Sequence, residues 1–197
     1  MTDSETICLS RSEVKKLLLQ TAANGDAALR DWTIITVGIN LMLRRHEIAD
    51  MTIDHIYRNE DRNWTLFLPH TKAQCSQEVH IPDPVYRAIK QCNKHYSSYD
   101  CLWPSFSNRN RGCPISDDGI NRMVKRTACS AGLNSAVNAS TLRHTGATIA
   151  AAKGASLIDL QDSLRHATTE ATIIYLHENM RTNVPATERV QVGIADQ

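Results

Sequence analysis

Apolar residues recur at helical spacing over most of this chain and alternate in only one stretch. Ser10-Arg11-Ser12-Glu13 has the form of a capping box, in which Ser10 and Glu13 each satisfy an orphan N–H at a helix start. Val14, Leu17, Leu18 and Thr21 continue it at helical spacing, and Asn24-Gly25 predicts its stop. From about Ala27 to Leu43, the residues Trp32, Ile34, Ile35, Val37, Ile39, Leu41 and Met42 cover nearly every face, which predicts a central, buried helix. Residues 52–82 differ: Ile53–Tyr57 and Trp64–Leu68 alternate, a polar turn lies between them, and a third run, Glu78–Ile81, follows. Pro82-Asp83-Pro84 opens a helix of about Val85 to His95, and 96–114 reads as a long loop. Ser116 caps a helix with an apolar stripe of Ile120, Met123, Val124 and Ala128, which Gly132 ends. Further helices are predicted near Thr141–Lys153, after the cap Ser156 with Leu157, Leu160 and Leu164 inward, and at about Thr169–Glu178. The fold class is mainly α with a small three-stranded antiparallel β-sheet.

Composition narrows this picture modestly. A chain of 197 residues with 42% hydrophobic residues can bury one core, and two Phe with three Trp leave most of it to aliphatic side chains. No run of eighteen apolar residues occurs, and the N-terminal Met1–Glu5 is polar and acidic, unlike a signal peptide. A cytoplasmic location is expected. The six cysteines are irregularly spaced, without a C-x-x-C pair. Cys92, His95 and Cys101 faintly resemble half a zinc site, but the other half is missing, so reduced structural thiols and no metal are expected. The net charge of +1 does not by itself point to nucleic acid. Its distribution does more: between Arg87 and Arg126 stand eight Lys or Arg against three Asp, a local excess able to neutralise several phosphates.

The chemistry lies in four separated segments. Leu43-Arg44-Arg45-His46-Glu47 comes first, Ser140-Thr141-Leu142-Arg143-His144 much later, then Leu164-Arg165-His166, and Tyr175 nine positions after His166. Singly, each is an ordinary helix-end or surface group. In this order, two arginines, a histidine and a tyrosine suit the holding of a phosphodiester while a phenol oxygen attacks it.

These segments resemble the catalytic domain of the tyrosine recombinases, or phage integrases, over about Leu9 to Met180. The family's first arginine lies in a G-x-R-x-x-E segment at the end of a buried helix, which places Arg44 there, three before Glu47. Its second box, H-x-L-R-H, matches Ser140 to His144, its L-G-H matches Leu164 to His166, and its nucleophile matches Tyr175. A lysine on the turn between the second and third strands matches Lys72. The resemblance implies the tyrosine recombinase catalytic-domain fold over 1–180 and a tail, 181–197, that docks on a neighbouring protomer. The N-terminal core-binding domain that most members carry is expected to be absent.

It further implies a site-specific recombinase that cleaves and rejoins DNA through a 3′-phosphotyrosine. Arg44 and Arg143 would clamp the phosphate, His166 would add a donor, Lys72 would protonate the leaving oxygen, and no metal or cofactor would be needed. Glu47 is assigned to structure, bonding local backbone or neighbouring arginines. The implied partners are double-stranded DNA, three further copies in a homotetramer on paired sites, and accessory DNA-bending proteins, in a nucleoid-associated or mobile-element setting. Arg109, Arg111, Asn121, Arg122 and Lys125 are candidates for DNA contact. Two residues depart from the pattern. Ser140 stands where histidine is usual, and serine is no base at neutral pH, so slower cleavage is expected. Arg165 replaces a usual glycine, altering a helix-end turn or adding a phosphate contact. Alternatives are a DNA-binding relative with weakened or lost catalysis, which Ser140 favours, and a relaxing activity of the type IB topoisomerase kind.

Overall fold

The computed structural model describes residues 7–69 and 76–173. Its helices include α1 (Arg11–Gln20), α2 (Ala28–Asn40), α3 (Arg45–Ala49), α4 (Asp83–His95), α5 (Asp117–Ser130), α6 (Ala139–Ala152) and α7 (Leu157–Leu164), and residues 169–173 are also helical, where the last predicted helix begins. Between α3 and α4 lie three short strands, β1 (Ile56–Arg58), β2 (Trp64–Leu68) and β3 (Gln77–His80). They form one antiparallel sheet in the order β1-β2-β3, with Leu66 opposite Ile56 on one side and Val79 on the other. The mainly helical fold with a small sheet is therefore as the periodicity predicts.

The predicted caps are present. Ser10 Oγ accepts the Glu13 N–H at 3.3 Å while the Glu13 carboxylate accepts the Ser10 N–H at 2.8 Å. Ser116 and Ser156 cap α5 and α7 by accepting the N–H groups of Gly119 and Asp159. Helix α6 starts two residues earlier than predicted, because Asn138 and Thr141 form a capping box of their own.

Some boundaries differ. Helix α1 ends at Gln20, and tight 3-10 turns run on through Ala27, with Gly25 in the left-handed region (φ 57°) where glycine has no Cβ to clash. Helix α2 ends at Asn40 rather than Leu43, and Met42 takes a φ of 49°, which turns the chain sharply before Arg44. Residues Ile53–His55, expected to be strand, form a 3-10 turn instead.

Helix α2 is the centre of the core. It packs against α1, α3, α4, α5 and α6, and its Ile34, Ile35 and Val37 are fully buried. Only Trp32, expected inside, stands on its exposed face. The sequence gives no warning of the buried pair on this helix: Arg30 Nε donates to Asp31 Oδ1 at 2.8 Å, and Asn24 Nδ2 donates to the other carboxylate oxygen at 2.8 Å. The Arg30 guanidinium also donates to the Pro104 carbonyl, which draws in the long loop. That loop is a narrow hairpin: Pro104 pairs with Pro114, and Ser105 N–H donates to the Cys113 carbonyl at 2.7 Å. Trp103, 1% exposed, pins it to α3 by donating to the Ile48 carbonyl at 2.8 Å.

The crossing of α2 and α6 brings the two backbones close together. A Cβ on Gly146 would lie 2.0 Å from the Ile39 carbonyl oxygen, and one on Gly38 would lie 3.0 Å from the Leu142 side chain. Any side chain at 146 forces the helices apart, because a backbone carbonyl cannot rotate away as a side chain can. Gly146→Ala should therefore destabilise the fold by about 3 kcal/mol, read as a lower urea midpoint at unchanged slope. A midpoint within error of the parent would show that the two helices are not held this closely.

Candidate active site

The close α2–α6 crossing carries Arg143, in the second turn of α6, to the chain just beyond the end of α2. Arg143 is 7% exposed. Its Nη1 donates to the Met42 carbonyl at 2.8 Å and its Nη2 donates to the Leu164 carbonyl at the end of α7. Arg44, the residue before α3, reaches the same place: its Nη2 donates at 3.3 Å to the carbonyl of Arg165, the residue next to Leu164. Two arginines 99 positions apart in the sequence thus meet at consecutive carbonyls, and His166 is the next residue along. Arg44 keeps more access to solvent, with 30% of its side chain exposed.

A carboxylate fixes this cluster. Glu47 Oε2 accepts the Arg44 N–H at 2.6 Å, capping α3, and Glu47 Oε1 accepts from Arg44 Nη1 at 3.1 Å. The same carboxylate takes two bonds from Arg165, from Nε at 3.2 Å and Nη2 at 2.6 Å. Burial alone would push the Glu47 carboxyl up. The adjoining Arg165 and Arg44, with the backbone N–H of Arg44, outweigh burial and hold it below the usual range. Glu47 is structural, as expected.

Arg165 is a surprise. It sits in the left-handed region (φ 52°), as the glycine usual at that place would, yet its side chain is turned inward and only 3% exposed. Two further N–H groups donate to the carbonyls of Met42, at 3.0 Å, and Ser163, at 2.8 Å. Four of its five N–H groups thus donate within the protein, which makes Arg165 a tie between the end of α7, α3 and Met42.

His166 Nδ1 lies 3.0 Å from the Thr172 hydroxyl. With the hydroxyl donating, the ring proton is on Nε2, and the neutral imidazole is a donor there. Burial and the charges of Arg143, Arg44 and Arg165 push His166 down to about 4. Burial, Arg143 and His166 do the same to His144, also to about 4. Nothing in the sequence marks Thr172 as a partner of His166.

Ser140 lies on α6 one turn before Arg143 and is exposed, with its N–H donating to Asn138 Oδ1 at 2.8 Å. Lys72 and Tyr175 lie outside the described residues. Of the DNA-contact candidates, Arg109, Arg122 and Lys125 are exposed. Arg111 is exposed but paired with Asp26 at 3.1 Å and stacked over Phe106. Asn121 is committed to the fold through its Oδ1, which accepts the Ala139 N–H at 3.1 Å and so ties α5 to the start of α6. The other basic residue beside the site, Arg45, pairs with Asp117 and Asp118 at 3.3 and 3.4 Å and binds α3 to α5. A cleft of about 780 Å³ opens elsewhere, lined by Arg30, Ser107, Asn110, Arg122 and Arg126, and the arginine cluster does not border it. Among the described residues, no group of three His, Cys, Asp or Glu could hold a metal, and no helix is long and apolar enough to cross a membrane.

The depressed histidines give the fold a pH dependence of definite sign. The unfolded chain binds protons at these two sites near the ordinary value of 6.5, whereas the folded chain resists until about 4. Their contribution is complete above about pH 6.5 and is lost as pH falls toward 4. The Glu47 contribution, with its lowered value, is lost only in more acid solution. The urea midpoint should therefore fall between pH 7 and pH 5, and His166→Asn should shrink that fall. A midpoint equal at both pH values would contradict it.

Comparison with known proteins identifies the fold and family. Residues 8–182 match the model of the phage integrase family. The tyrosine recombinase XerH of Campylobacter jejuni is 28% identical over 173 residues, covering 86% of this chain and 48% of that protein. The tyrosine recombinase XerC of Thermodesulfovibrio yellowstonii is 38% identical over 78 residues, 40% of this chain and 26% of that protein. The chain thus spans about half the length of the first of these relatives or less. Its fold matches XerH in a post-cleavage complex with a palindromic difH substrate, with a TM-score of 0.72 at 22% identity over 90% of this chain and 51% of that one. It also matches a lambda integrase dimer bound to a COC′ core site, with a TM-score of 0.73 at 14% identity over 98% of this chain and 53% of that one. The arrangement of helices and sheet is that of these catalytic domains, and this chain belongs to the phage integrase family of tyrosine recombinases.

Proposed function

We propose that this chain is the catalytic domain of a site-specific DNA recombinase that cleaves and rejoins strands through a 3′-phosphotyrosine. The observation that carries this reading is the meeting of Arg44 and Arg143 on the adjacent carbonyls of Arg165 and Leu164, with His166 beside them. Two guanidiniums and an imidazole held together by the fold form a preorganised receptor for one phosphodiester. Negative charge accumulates on its non-bridging oxygens as the nucleophile approaches, and donors already in place stabilise that charge without reorganising.

In this reading the Tyr175 oxygen attacks phosphorus and the bond to the 5′ oxygen breaks, with Lys72 supplying that oxygen's proton. The new ester conserves the energy of the old one, so a 5′-hydroxyl from another strand can reverse the step. His166, neutral at working pH, serves as a hydrogen-bond donor rather than as a cation. Ser140, exposed one turn from Arg143, is placed to donate one hydrogen bond or orient a water, but not to remove a proton. The partner is double-stranded DNA, as in the DNA complexes of the structural relatives, and assembly as a homotetramer with accessory DNA-bending proteins in the cytoplasm completes the proposal. Exposed Arg109, Arg122 and Lys125 contact the duplex backbone. In the proposed layout, 1–180 is catalytic and 181–197 docks on a neighbour.

A pool of nicked suicide duplexes of randomised sequence tests the central step. Covalent protein–DNA product that survives denaturant, and is absent with Tyr175→Phe, is expected. No adduct at high protein and DNA would leave a DNA-binding relative without catalysis, and supercoil relaxation without strand exchange would indicate the topoisomerase-like alternative. On a duplex recovered from that pool, Ser140→His should cleave faster, by roughly the hundredfold typical of a positioned acid–base group. An unchanged rate would show that position 140 takes no part in proton transfer.

A further inference from the structure

Glu47 presents an electrostatic difficulty. A carboxylate 3.1 Å from Arg44 Nη1 offsets much of the charge that Arg44 could offer a phosphate. Arg165 resolves it. Its guanidinium binds the same carboxylate at 2.6 and 3.2 Å, from a side chain only 3% exposed. Arg165 is sequestered, and four of its five N–H groups are already bonded within the protein. Its charge is spent on Glu47, so the group of Arg44, Glu47 and Arg165 keeps a net charge of +1 (two guanidiniums against one carboxylate), carried by the more exposed Arg44.

We propose that Arg165 is a positioning residue that neutralises Glu47 and thereby leaves the charge of Arg44 available to the scissile phosphate. This rests on the proposed phosphodiester chemistry of the same site. The backbone agrees with such a role. A non-glycine residue in the left-handed region is strained, and here the strained residue is held by four side-chain bonds, to Glu47 twice, Met42 and Ser163. A device of this kind differs from a mere tie between α3 and α7 in one respect. If only the tie mattered, removing Glu47's charge as well would make matters worse. If the charge matters, it would repair them.

Arg165→Gly keeps the backbone at ease and strips Glu47 of its second cation. In a Tyr175→Phe background, binding to a short mixed-sequence duplex should lose about one unit from the slope of log K against log salt, the effect of one lost phosphate contact. In the Tyr175 protein, covalent cleavage of a recovered duplex should fall at least about tenfold. Adding Glu47→Gln should restore both, since the amide can still accept the Arg44 N–H without opposing its charge. Should Arg165→Gly fail to fold, as judged by circular dichroism, Arg165→Gln gives the same comparison with side-chain length kept. An unchanged slope in the single variant, or no recovery in the double one, overturns the inference. The absence of any adduct from the parent protein would instead sink the recombinase reading, while the salt slopes would still decide the role of Arg165.

Discussion

Gathering guanidiniums in a largely buried corner is opposed by their mutual repulsion and by the loss of water, and the structure depends on how that opposition is met. Glu47 supplies one negative charge, and the carbonyls of Met42, Ser163, Leu164 and Arg165 supply further acceptors. Met42 is the crossing point: its carbonyl accepts from both Arg143 and Arg165. It can do so because its backbone takes a φ of 49° after α2 and turns the chain abruptly. A breach of this junction leaves charges buried without partners, which is far more destabilising than the loss of an ordinary surface pair.

The junction is built from three directions, and each rests on packing elsewhere. The crossing of α2 and α6 at Gly38 and Gly146 delivers Arg143. Helix α3 delivers Arg44 and Glu47, and it is fixed by Trp103 on one side and by Arg45 with the two aspartates of α5 on the other. The end of α7 delivers Leu164, Arg165 and His166. The apolar core therefore acts as the frame that holds polar groups at hydrogen-bonding distance, and preorganisation at the site is paid for by that packing.

Electrostatics then divides the cluster's roles by burial. Arg143 and Arg165 are almost enclosed, and Arg44 is the more open of the three. The histidines among them stay neutral because burial and neighbouring cations both disfavour their charged forms. A neutral imidazole beside paired guanidiniums can donate a hydrogen bond without adding to the repulsion.

Much of this was legible in the residues alone. The starts of the helices capped by Ser10, Ser116 and Ser156 are legible, since capping is decided over four positions. The alternation of Trp64–Leu68 marks the sheet, and the segments around Arg44, Arg143 and His166 mark the side chains that the fold gathers at the end of α7. The end of α2, the buried Arg30–Asp31 pair and the inward turn of Arg165 were not legible. The last two depend on partners far away in sequence: Pro104 for Arg30 and Glu47 for Arg165. Local sequence determined the elements and the chemical types available, because propensity and capping act over a few residues. Tertiary structure decided which arginine faces outward and which is consumed inside, because that choice is set by charges and carbonyls that meet only when the chain is folded.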